Sequence, residues 1–224
     1  MSTLTSEAPD AVPSLAVAAS PANMTVAQAI SLYTESGRSA VSPALREIVR
    51  QMIDKNIKTE FSNDSYYDAL YLTDVMFGRA EANVRLLTGP GADGFLLALQ
   101  KSFIAMLDRL QATRGSVRII LLSSELPEWL GQVAKKYVGT LEIFLAHSVT
   151  PIKHFIVCDS RMARLEELHD LITPESKADE IKASVYFNEP TKTKVFEQHF
   201  DSIWTSLAKL GSKQKAKVSD PVPA

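Results

Sequence analysis

Three short apolar runs most limit what this chain can fold into: residues 84–88 (VRLLT), 117–122 (VRIILL) and 141–145 (LEIFL). Each has strand length. Gly89-Pro90-Gly91 closes the first and Ser123-Ser124 follows the second. Helical patterns fill the gaps, one over residues 94–110 behind Asp93 as cap, the other running to about Tyr137 with Pro127 near its first turn. A β-α-β-α-β order needs crossover connections, which set neighbouring strands parallel and lay helices on the sheet faces. Residues 117–122 are nearly continuous in apolar character, as a strand covered on both faces should be. The expected fold class is therefore α/β, a mixed, mainly parallel sheet flanked by helices.

Upstream, Thr25 is placed to cap a helix to about Ser36, and Pro43 to open a second through Asn56. Leu45, Ile48, Val49, Met52 and Ile53 share one stripe of that second helix. Asn63 or Asp64 caps a third, running to about Arg79. Downstream, residues 155–158 and 182–188 read as strands. Pro190 then starts a final helix whose stripe is Val195, Phe196, Phe200, Ile203, Trp204 and Leu207. The expected organisation is a disordered lead over residues 1–23, an N-terminal helical extension over 24–79, an α/β domain over 80–210 and a flexible tail over 211–224.

Composition removes several function classes. A net charge of −2 gives no global field for polyanions, so nucleic-acid affinity would need a local patch. No apolar stretch approaches the roughly 18 residues that span a bilayer, so no membrane association is expected. The first 23 residues carry only Glu7 and Asp10 as charges, unlike the basic start of a secretory signal. The one cysteine, Cys158, has no internal partner and lies in an apolar run. It reads as a buried, inert thiol in a reducing, cytoplasmic setting.

The titratable groups concentrate between residues 151 and 188. A strand-like run from His154 ends on Asp159, and Arg164, Glu166, Glu167 and His169 follow. Together with the β-α-β-α-β order, the segment Lys153-His154-Phe155-Ile156-Val157-Cys158-Asp159 and the strand 182–188 before its helix, this region resembles one repeat of the phospholipase D-like superfamily. The resemblance covers residues 80–210.

It implies a fold, but its activity motif is incomplete. Active members carry His-x-Lys, four residues, then Asp; the histidine attacks phosphorus and the lysine neutralises phosphate oxygens. Alternate residues of a strand share a face, so the two can meet one phosphate. With Asp159 on the motif's aspartate, Ile152 stands at the nucleophile and His154 at the lysine. Where active members have Gly-Ser-x-Asn, this chain has Glu166-Glu167-Leu168-His169, and two carboxylates repel a phosphodiester. The implied protein is a non-catalytic binding or scaffold module that retains nucleic-acid affinity. Superfamily members with one repeat build their site by homodimerising, so a homodimer, or pairing with a second protein, is implied too.

The residues leave alternatives open. His169 could join His154, with Glu166 or Glu167 orienting an imidazole, to make an atypical phosphodiesterase or nuclease whose catalytic set is His154, Asp159, Glu166 and His169. The same His/Glu/His set could hold a metal, although its irregular spacing is no metal signature; no metal or cofactor is expected. In the purely structural reading, Glu166 or Glu167 pairs with Arg161 or Arg164 while His154 bonds within the sheet. Gly89, Gly91 and Gly94 match a dinucleotide-loop spacing, yet Pro90 removes a backbone N–H, and a tight βα turn is the simpler account. Tyr66, Tyr67 and Tyr71 suit helix packing better than base stacking.

Overall fold

The computed structural model describes residues 24–63, 65–89, 92–146 and 153–210. The expected lead, the tail, Ile152, and Pro90 and Gly91 of the glycine loop lie outside the described residues. Thr25 caps α1 (Val26–Ser36) in a capping box with Gln28. Pro43 stands at the first position of α2 (Pro43–Asp54), and Ser65, one or two residues beyond the expected cap, caps α3 (Tyr66–Arg79). Between these helices lies a strand that the sequence reading left out, β1 (Thr59–Asn63).

The next elements follow the expected order. They are β2 (Asn83–Thr88), α4 (Ala92–Ala98), α5 (Gln100–Thr113), β3 (Ser116–Leu121), α6 (Glu128–Lys136) and β4 (Leu141–Leu145). The single helix expected over 94–110 is thus two, which meet at Leu99. The chain closes with β5 (Phe155–Cys158), β6 (Met162–Glu166), β7 (Ala183–Phe187) and α7 (Pro190–Leu210).

The strands form one sheet in the order β1-β7-β6-β5-β2-β3-β4. The mixed α/β architecture is as expected, but the balance of directions is not. Only β2–β3 and β3–β4 pair parallel. The other four pairings are antiparallel. The reason is local. Asp159 and Ser160 both have φ near +53°, and Arg161 N–H donates to the Cys158 carbonyl at 3.1 Å. This β-turn, with Arg161 completing a three-residue connection between the paired Cys158 and Met162, returns the chain as a hairpin, which is necessarily antiparallel. β7 and β1 then extend that antiparallel side.

Period-two alternation gives the sheet two apolar faces. On one, Val84, Leu86, Ile119 and Ile156 pack beneath Leu70, Met76 and Phe77 of α3, Phe103 and Leu107 of α5, and Ala29 of α1. On the other, Leu87, Ile120, Phe155 and Val157 pack against Phe196, Phe200, Ile203, Trp204 and Leu207 of α7. Val195, expected in that stripe, is 60% exposed. Tyr66, Tyr67 and Tyr71 are buried, which fits packing. The elements from α1 to α3 share a core with the sheet, and β1 adds an edge strand to the segment expected to be helical.

Candidate functional site

Strand direction gathers the polar residues at one edge of the sheet. β5 runs antiparallel to β2, so its start lies beside the carboxyl end of β2; β6 returns to the same edge. The Glu166 N–H donates to the His154 carbonyl at 2.9 Å, which makes the two residues neighbours across the hairpin. Arg164 and Glu166 are two apart on β6 and share a face. In register, Arg164 faces Ile156, which places both on the side of α3 and α5.

One carboxylate organises the cluster. Glu166 Oε2 lies 3.1 Å from His154 Nδ1 and 3.0 Å from His169 Nε2, while Oε1 accepts from Arg164 Nη1. Arg164 is 2% exposed, and its Nε donates to Asn63 Oδ1 at 2.8 Å. Asn63 Nδ2 in turn donates to the Ser65 carbonyl at 2.7 Å. Arg164 Nη2 is buried and has no partner among the described residues. The imidazole rings of His154 and His169 lie 5.3 Å apart at 70°. His154 presses on the end of β2: a Cβ on Gly89 would come within 2.6 Å of its ring. A side chain on residue 89 would have to displace that ring.

The charges follow from these contacts. Burial pushes the Glu166 carboxyl up, but the Arg164 charge and the hydrogen bonds from His154, His169 and Arg164 outweigh it and hold the group well below the usual carboxylate range. The bond to Glu166 raises the His169 imidazole, against the opposing effect of burial, and the Asp170 carbonyl adds to the rise. His154, Arg164 and Glu166 line one side of a pocket whose other walls include Tyr66, Thr88, Phe95, Leu96 and Ile172. Its character is a polar patch at the end of an apolar cavity of about 30 Å³, room for a water or a small ion.

Of the residues singled out by sequence, His154, Glu166 and His169 come together and Asp159 does not. Asp159 lies at the far end of β5, about 16 Å away along the strand at about 3.3 Å per residue. There its carboxylate accepts from the backbone N–H groups of Glu81, Ala82 and Asn83 at 2.8, 2.9 and 2.8 Å, tying the β5–β6 turn to the start of β2. The pairing of Glu166 with Arg164, weighed as structural, and the joining of His154 to His169, weighed as functional, are both present in one network. Lys153 is exposed, and Glu167 lies outside this network. Sequence reasoning missed Asn63, since nothing in a polar edge strand marks it as the support of a buried arginine.

A second polar feature was also missed. Arg38, Arg46, Arg50 and Arg79 line a groove with Tyr71, Val49 and Ile53 between α2 and α3. Arg38 meets Asp74 at 2.6 Å, Arg50 meets Glu47 and Asp54 at 2.6 and 3.0 Å, and Arg79 lies 3.7 Å from Asp54. Arg46 has no ion-pair partner among the described residues, and its Nε is buried without a hydrogen bond. Four arginines thus face three carboxylates. No helix among the described residues is long and apolar enough to cross a membrane.

No protein-family model and no curated protein matches the chain. Among solved structures it is similar to TrmBL2, an archaeal chromatin protein described as showing a novel mode of DNA binding, with 17% identity and a TM-score of 0.50. That match covers 73% of this chain, which spans 60% of the length of TrmBL2. It is also similar to Nuc from Salmonella typhimurium, a phospholipase D family member, with 16% identity, a TM-score of 0.45, and coverage of 66% and 95%. NucT from Helicobacter pylori follows with 11% identity, a TM-score of 0.47, and coverage of 66% and 96%. At these identities the likeness is one of fold alone.

Proposed function

We propose that this protein is a non-catalytic, phospholipase D-like binding module that holds nucleic acid. One observation carries the non-catalytic part. The position where the motif needs a nucleophile is Ile152, and the histidine at its lysine position, His154, is bonded to a carboxylate. Glu166 already engages three cationic or proton-donating side chains. A phosphodiester brought into the cluster would meet that carboxylate.

The arginine groove supports the nucleic-acid part. Its excess positive charge is local, as a chain of near-neutral net charge requires, and arginine suits phosphate through its planar fork of donors. The DNA binding described for TrmBL2 agrees with this reading. Phosphate contacts of this kind give salt-dependent, sequence-tolerant affinity. Labelled single- and double-stranded DNA, followed by anisotropy across a salt series, is the test. Arg46→Glu should weaken binding to every sequence and flatten the salt slope by about one unit or more. Equal binding by wild type and Arg46→Glu, or none by wild type, would remove the proposal.

The module is also proposed to pair with a second copy, in the cytoplasm. Leu168 and Leu171, flanking His169, are 59% and 63% exposed, as residues awaiting a partner surface would be. A monomeric mass by light scattering at micromolar concentration would contradict the pairing. The rival reading, a phosphodiesterase using His154 and His169, draws on one feature: Glu166 orients both imidazoles, as a nucleophile and its acid need. Hydrolysis of a phosphodiester, lost in His154→Ala and His169→Ala, would favour it.

A further inference from the structure

The hydrogen bonds around His169 pose a question that the binding reading leaves unanswered. His169 Nδ1 lies 2.7 Å from the Asp170 carbonyl, which can only accept, so Nδ1 carries the proton. In a neutral ring Nε2 then presents a lone pair. It faces Glu166 Oε2 at 3.0 Å, also an acceptor. Two acceptors at that distance need a cation between them, which is either a second proton or a metal ion. His154 Nδ1, at 3.1 Å from the same oxygen, points at the same place.

The N···O separations suit a hydrogen bond and also admit a metal. Zinc takes imidazole nitrogen at about 2.0–2.1 Å and carboxylate oxygen at about 2.0–2.2 Å, so the edges of its tetrahedron are about 3.3 Å. The two N···O edges here are 3.1 and 3.0 Å. Two imidazoles on one such ion have centroids about 5.2 Å apart; these stand at 5.3 Å. The three donor atoms lie within 4.8 Å of one another, so the remaining N···N edge must close by up to about 1.5 Å. His169 lies beyond β6, outside the hydrogen-bonded strands, so the closing movement would fall on its ring rather than on the sheet.

The surroundings are those of a supported site. The Asp170 carbonyl fixes the tautomer of His169, as outer partners of metal-bound histidines do. Arg164 occupies Glu166 Oε1, which leaves Oε2 as a single-oxygen ligand of fixed direction. Two imidazoles and one carboxylate favour a zinc-class ion over magnesium or calcium. His154 and Glu166 also line the pocket, from which a fourth ligand can come. The ion and Arg164 together outweigh Glu166 in charge, so that ligand should be an anion or water.

We propose that His154, Glu166 and His169 bind a divalent transition-metal ion of the zinc class, with a fourth position left to the pocket. The site is independent of the arginine groove, so it can fail or stand apart from nucleic-acid binding. Full-length protein stripped with a chelator would be titrated with Co²⁺ by visible spectroscopy and with Zn²⁺ by calorimetry. The expected result is one ion per chain, with the intense absorption of four-coordinate Co²⁺. His154→Ala and His169→Ala should each weaken binding by about 100-fold or more, beyond what loss of an outer partner costs. His199→Ala, outside the cluster, should change nothing. No stoichiometric uptake by wild type would overturn the proposal and leave a proton in that position. Uptake kept in both site variants would also overturn it, by placing the ion elsewhere. The wild-type titration decides even if a variant folds poorly.

Discussion

Replacing Glu166 by alanine removes the carboxylate that faces Arg164, His154 and His169 at once. Arg164 is 2% exposed, so its charge is nearly cut off from solvent. Its remaining side-chain partner among the described residues is the neutral amide of Asn63. Taking one partner from a buried ion pair costs about 3–5 kcal/mol, because the other charge stays buried and uncompensated. For a chain of this size each kcal/mol moves the melting temperature by about 2–4 °C, so a fall of about 6–20 °C is expected. Removing Arg164 as well, in Arg164→Met with Glu166→Leu, should recover most of that loss, since replacing both members of a buried pair is often near neutral. Thermal melts and urea titrations of wild type, Glu166→Ala, Glu166→Leu, Arg164→Met and the double variant would measure it. A loss under about 1 kcal/mol for Glu166→Ala, or a double variant no better than the sum of its parts, would refute the reasoning.

Other outcomes follow from the same geometry. In metal-free buffer, the stability difference between wild type and Glu166→Gln should have a window. The lowered Glu166 gives stability above its unfolded value of about 4.3, lost as pH falls toward its folded value; the raised His169 gives stability below about 6.5, lost as pH rises through its folded value. The difference should therefore be largest between those limits, and a flat profile from pH 4 to 9 would contradict it. Gly89→Ala should push the His154 ring away from Glu166, cost about 1–3 kcal/mol and shift the His154 imidazole resonances by NMR. Asp159→Ala should cost at least about 1.5–3 kcal/mol, one charge-assisted bond's worth, and leave DNA and metal affinity unchanged. Burial pushes the Cys158 thiol up, so a thiol reagent should react only as fast as the protein unfolds.

The parallel half of the sheet was legible because its strands are apolar on both faces and their helices announce themselves by caps and prolines. The antiparallel half was not. β1 (Thr59–Asn63) is mostly polar, and β6 (Met162–Glu166) carries Arg164 and Glu166 where alternation would call for a core face. The turn that defines β6 is Asp159-Ser160-Arg161, without the glycine that usually signals a short hairpin. Missing that turn meant missing the register that sets Glu166 beside His154. The residue types of the cluster were therefore visible, while their convergence on one carboxylate oxygen was not. Asp159 misled for the same reason: as a motif member it belongs to a site, but in the hairpin it ties backbone N–H groups.

The most direct test of the central claim puts one labelled DNA sample, with and without added Zn²⁺, Co²⁺ or Mg²⁺, through both an anisotropy reading and a product gel. The account predicts salt-sensitive binding and intact DNA under every condition. Cleavage by wild type that disappears in His154→Ala would contradict it and make the histidine cluster a working active site.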